Sequence, residues 1–122
     1  MNMTSFSVAN HSVEFADCRE IGQAGPVTGS MSIDGELVTR RFLWGQPRMQ
    51  RFHPTLLEYN GDILVPLWEA TRFYLVRIDP VTLKIRRLTR GFGYMRLLRV
   101  DGAEIEFSTW WDDRETHKVR LA

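Results

Sequence analysis

The sequence predicts an all-β fold, an antiparallel meander of about ten strands forming a sandwich or a closed or nearly closed barrel, and three observations carry that expectation. Asp34-Gly35, Asn60-Gly61 and Asp101-Gly102 have the chemistry of two-residue hairpin turns, and each separates two runs of strand-like composition. No stretch of eleven or more residues places apolar side chains at the 3.6-residue period of an amphipathic helix. When turns are set at the punctuation, apolar residues of successive strands fall into rows, and turn chemistry and pattern then agree.

Taken in order, strands are expected near 12–16, 27–33, 36–43, 48–52, 55–59, 62–68, 73–78, 83–89, 94–100, 103–109 and 115–121. The one place for a short helix is Cys18 to Ala24, followed by a loop at Gln23 to Pro26. A turn at Asp34-Gly35 sets Ile33 opposite Glu36, Met31 opposite Val38, Gly29 opposite Arg40 and Val27 opposite Phe42. The Asn60-Gly61 turn pairs Leu57 with Leu64 on one face and Leu56 with Val65 on the other. Apolar pairs on both faces are the mark of strands covered on both sides, so this hairpin is expected at the centre of the core.

In the second half, loops at Asp79 to Thr82, Arg90 to Gly93 and Asp101-Gly102 give a four-stranded meander. One face carries the rows Ile78, Leu83, Val100, Ala103 and Val76, Ile85, Leu98, Ile105, then Tyr74, Arg87, Arg96, Phe107 at the rim. The other carries Arg77, Lys84, Arg99, Glu104 and Leu75, Arg86, Leu97, Glu106. Adjacent strands lie about 4.8 Å apart, so three cations side by side repel unless an anion intervenes. Charge is segregated along the chain: Arg72 to Arg99 holds eight basic residues against Asp79 alone, and Val100 to Glu115 holds six acids against Arg114.

Arg90-Gly91-Phe92-Gly93-Tyr94-Met95 resembles the basic-Gly-aromatic-Gly-aromatic-aliphatic core of the ribonucleoprotein octapeptide of RNA-recognition motifs and cold-shock domains. The resemblance implies that Phe92 and Tyr94 stack on bases while Arg90 and the row Arg77, Lys84, Arg99 hold phosphates. Thr82-Leu83-Lys84 is also similar to the opening strand of a cold-shock domain, although Ile85 and Arg86 stand where that family has an aromatic pair. Read without the resemblance, Arg90 to Gly93 is a hairpin loop that its glycines permit.

At 122 residues, 43% hydrophobic and 25% charged, the composition is that of one globular domain, residues 1–122, and excludes a disordered or collagen-like chain. No run approaches the roughly 18 apolar residues of a membrane helix, and Met1 to Asn10 has neither the basic head nor the apolar stretch of a secretory signal. A cytoplasmic location without membrane association is therefore expected. Cys18 is alone, which excludes an internal disulfide, and His11, His53 and His117 show no metal-ligand spacing, so neither a metal nor another cofactor is expected. Nor does the order of residues contain a phosphate loop, nucleophile elbow or catalytic triad.

Trp44, Trp68, Trp110 and Trp111 lie at strand ends or in loops, and Asp112, Asp113 and Glu115 form an acidic cluster after the last two. Exposed aromatics near arginine are common anchors of protein interfaces. The resulting expectation is a non-enzymatic binding protein, in its most specific form an immunity-type protein that blocks a toxin. Its interface would draw on Arg77, Lys84, Arg86, Arg99, Arg90, Phe92, Tyr94, Trp110, Trp111, Asp112 and Asp113. A single-strand nucleic-acid binder is the alternative. A third reading is a β-barrel carrier or enzyme for a small anion, using Arg40, Arg87 or Arg96.

Overall fold

Alternating side chains and two-residue turns build this chain into antiparallel ladders. The computed structural model describes residues 4–20, 27–44, 56–110 and 112–122, and every regular element among them is a β-strand. These are β1 (Thr4–Val8), β2 (His11–Glu20), β3 (Val27–Ile33), β4 (Glu36–Trp44), β5 (Leu57–Tyr59), β6 (Asp62–Glu69), β7 (Arg72–Ile78), β8 (Ile85–Arg87), β9 (Arg96–Asp101), β10 (Glu104–Ser108) and β11 (Thr116–Arg120). An eight-stranded sheet runs β1-β2-β3-β4-β6-β7-β8, with β5 also paired to β6, and a three-stranded sheet runs β11-β10-β9. The strand path of the larger sheet has two ends, β1 and β8, so it is not closed into a barrel.

Cys18 to Glu20 continue β2 as strand, which replaces the start of the expected helix; the rest of that helix, the loop Gln23 to Pro26 and the strand at 48–52 lie outside the described residues.

The β6–β7 hairpin is the centre of the molecule, buried on both faces as its double apolar pattern requires. On one face Ile63, Val65 and Leu67 of β6 join Val76 and Ile78 of β7, Val13 and Phe15 of β2, and Met31 and Ile33 of β3. All belong to one sheet, so that sheet must curl round to cover its own face. On the other face Leu64, Phe73 and Leu75 meet Met95, Leu97, Ile105, Phe107 and Leu121, which come from the three-stranded sheet and its flanks. The expected pairing of Leu57 with Leu64 is present, and Leu56 and Val65 belong to the first cluster.

Pro66 occupies the middle of β6 at no cost to this hairpin. Backbone bonds from Leu88 to Leu75 and from Asp79 to Lys84 show that odd-numbered residues of β7 point toward β8, so even-numbered ones point toward β6. Pro66, opposite Leu75, therefore has its missing N–H on the side away from β7. On that side the partner strand changes from β5 at Leu64 to β4 at Leu67.

Register departs from expectation at bulges, which have no sequence signature here. Ile33 faces Glu36 as expected, but irregularities beside Met31 move the rest: Met31 faces Thr39, Gly29 faces Phe42 and Val27 faces Trp44. In β9, Leu98 is the extra residue between the pairs Arg99–Glu106 and Leu97–Phe107, so Leu97 rather than Leu98 is the buried member. The last hairpin turns at Gly102-Ala103 and closes on Asp101 and Glu104.

The largest correction concerns the expected four-stranded meander, which is divided between the two sheets. The loop after β7 is longer than expected: Leu83 adopts a φ of 64° and bonds Asp79, so Ile78 faces Ile85 and Arg77 faces Arg86. After β8 the chain keeps to the edge of β7 instead of turning back. Leu75 receives the N–H of Leu88 and gives its own to the Thr89 hydroxyl at 3.1 Å, and Phe73 exchanges two backbone bonds with Phe92. Gly91 makes this approach possible, since a Cβ there would stand 2.7 Å from that of Arg72. Its role is close packing rather than a hairpin loop, and β9 accordingly starts the second sheet.

Candidate functional site: a cationic groove along β8

Pairing of Arg77 with Arg86 places two guanidinium side chains on one face of the sheet, and Lys84 joins them beyond the end of the short strand. Asp62, Arg77, Asp79, Lys84, Ile85 and Arg86 line an open groove of about 620 Å³. The face that the three-stranded sheet covers over β6 and β7 is here left open.

The three cations are not equivalent. Arg77 donates from Nε to Asp62 Oδ2 at 2.6 Å and from Nη1 to the Leu121 carbonyl at 2.9 Å, and its guanidinium lies 5.2 Å from the centre of the Tyr59 ring. It is a clamp between β7 and the end of the chain beyond β11, and it is mostly buried. Asp79 is likewise occupied: one carboxylate oxygen accepts the N–H of Val81 at 2.8 Å and of Thr82 at 3.2 Å, and these two donors hold its carboxyl below the usual range. Lys84 and Arg86 are exposed and have no ion pair among the described residues. Arg77 is balanced by Asp62 and the Asp79 carboxylate offsets part of the remainder, so the groove keeps a net positive charge, presented on Lys84 and Arg86.

Other sequence candidates are placed elsewhere. Arg99 and Glu104, expected in one row with Arg77 and Lys84, belong to the second sheet, where Arg99 pairs with Glu106. The row fails because β8 and β9 do not pair. Phe92 packs edge-on to Phe107, 5.7 Å between centroids, and against His117 at 5.1 Å, and the Arg90 guanidinium lies 4.3 Å from its centre. Its ring is thus packed on several sides and only partly exposed. Tyr94 is half-buried, and that desolvation raises its hydroxyl pKa.

The acidic cluster is internally compensated. Asp112 receives Arg114 at 2.7 to 3.0 Å and Asp113 receives Arg96; each carboxyl is held below its usual range chiefly by that guanidinium. Glu115 accepts the Thr109 hydroxyl at 2.6 Å. Trp110 is 42% exposed and carries Arg114 5.4 Å from its ring, while Trp111 lies outside the described residues. Two arginines of the anion-carrier reading already have partners, Arg87 with Glu69 and 3.8 Å over Tyr74, and Arg96 with Asp113; the Arg40 side chain lies outside the described set.

Sequence reading missed the roles of Asp62 and Asp79 in the groove and of His117 in the aromatic stack. The first two had a local signal, since each follows or opens a turn beside a cationic strand; His117 had none. Among the described residues no group of three or more His, Cys, Asp or Glu side chains is placed to hold a metal, and no helix is long and apolar enough to cross a membrane. Comparison with known proteins gives no match: no family model fits the chain, and neither a curated protein nor a solved structure is significantly similar to it.

Proposed function

We propose that this chain is a non-enzymatic binding protein that docks a protein partner through the β8 groove, with an acidic surface of the partner set against Lys84 and Arg86. The observation that carries this reading is the placement of two exposed cations, Lys84 and Arg86, over one groove with no carboxylate partner among the described residues, whereas Arg77, Arg87, Arg96, Arg99 and Arg114 all have one. Arg72, Arg90, Lys118 and Arg120 are also without an ion pair among the described residues but do not line the groove. In its most specific form the partner is a toxin whose active site this protein covers, an immunity-type role exercised in the cytoplasm. A protein partner is favoured over a nucleic-acid strand because the Phe92 ring is packed against Phe107, His117 and Arg90, away from stacking on a base.

The test is capture of binding proteins from the native host, with and without nuclease, by the wild-type chain and by a Lys84→Glu/Arg86→Glu variant. A partner that survives nuclease should be lost from the double variant and kept by a Lys118→Glu control. Rim charges act mainly through association rate, so the wild-type affinity should weaken by about tenfold or more between low and high salt. Capture that disappears with nuclease would support the nucleic-acid reading instead.

A further inference from the structure

Strand β8 ends the eight-stranded sheet and has β7 as its only hydrogen-bonded neighbour among the described strands. Its backbone polarity follows from bonds already described. Lys84 accepts from Asp79, and Leu88 donates to Leu75, so even-numbered residues from 84 to 88 point inward to β7. The N–H and C=O groups of Ile85 and Arg87 therefore point away from the sheet, on a strand whose three residues are all exposed. Such an edge is a template for another strand, and natural proteins usually cover or bend it. The side chains beside it are ordered by face: Lys84 and Arg86 overhang the groove, and Ile85, 39% exposed, stands between them on the alternate side.

We infer that β8 takes up an acidic, extended segment of its partner as an additional β-strand. This rests on the proposed docking at the groove and specifies how it occurs. The added strand bonds to the outward N–H and C=O groups of Ile85 and Arg87. Alternate carboxylates, two residues apart, face Lys84 and Arg86 across the new ladder, and the residue between them lies on the Ile85 side. Main-chain bonds give affinity and the two cations give sequence preference, the division of labour found wherever a peptide completes a sheet.

The test uses the full chain and synthetic peptides followed by fluorescence anisotropy. The first probe alternates Glu and Val over eight residues; a second has the same composition with its four Glu and four Val in separate blocks; a third alternates but is N-methylated at every second residue, on the bonding edge. An oligothymidine of similar charge is the fourth. Binding of the alternating peptide, at least tenfold weaker for the blocked and methylated peptides and for the oligonucleotide, supports strand addition. Ile85→Pro supplies a protein-side check, because it deletes an N–H that the β7 ladder does not use while leaving both cations in place; binding should fall about tenfold with the circular dichroism unchanged. If the alternating and methylated peptides bind equally and Lys84→Glu/Arg86→Glu abolishes both, the groove docks acidic chains but strand addition is overturned. If the oligonucleotide binds tightest, or if none of the peptides binds, both the addition and the docking reading fall.

Discussion

Ala70 and Thr71 form the turn between β6 and β7 with φ of 53° and 66°, a left-handed pair that a two-residue hairpin needs and that suits neither side chain. Left-handed backbone costs an L-residue about 1 to 2 kcal/mol, and β-branched Thr71 is the worse placed of the two. Replacing the pair by Asn-Gly should stabilise the protein by about 1 to 2 kcal/mol, seen as a higher urea midpoint with an unchanged slope. Asp34 offers a second test. It accepts His11 Nδ1 at 2.6 Å and the Ser12 N–H at 2.9 Å, and the histidine contact is the larger cause of its lowered carboxyl pKa. Because the unfolded chain takes up this proton first as pH falls, the contribution is present above about pH 4 and is lost below it. Asp34→Asn keeps the turn chemistry, so urea midpoints measured from pH 6 to pH 3 should fall less steeply for the variant.

At the scale of elements, turn chemistry was legible and edge chemistry was not. Asp34-Gly35 and Asn60-Gly61 form the expected turns, each with both residues at positive φ, whereas Ala9-Asn10 and Ala70-Thr71 adopt the same geometry without the glycine that would have announced it. The face pattern of β6 was readable because both of its sides are apolar. Leu98 could not be recognised as a bulge, since Leu97 and Leu98 fit either face equally. The cationic row was legible in part: Arg77 and Lys84 do share a groove, joined there by Arg86 from the neighbouring row, but Arg99 was assigned to it through a ladder that does not form. The role of Arg77 depends on a carbonyl 44 residues away, beyond the reach of local pattern. Arg77→Ala leaves Asp62 and that carbonyl without their donor and should cost about 2 to 3 kcal/mol in denaturant titration. Arg77→Lys should restore only part of this, because one ammonium does not reproduce the guanidinium fork.

For the whole molecule, the two apolar clusters share β6 and β7 back to back. Ile63 faces one cluster and Leu64 the other, and both side chains are fully buried. Ile63→Ala and Leu64→Ala should each cost about 2 to 5 kcal/mol. Since the damaged strand is common to both layers, each variant should still unfold in one transition, with tryptophan fluorescence and far-ultraviolet circular dichroism coincident. Separate transitions would mean that the layers fold independently.

This arrangement also bears on how the chain comes into being. A ribosome delivers β1 to β8 first, so Leu64, Phe73 and Leu75 wait in the nascent protein until β9, β10 and β11 emerge to cover them. During that interval an apolar surface lies open, and a chain interrupted before Arg96 retains it permanently, which makes premature termination a route to aggregation rather than to a smaller folded protein.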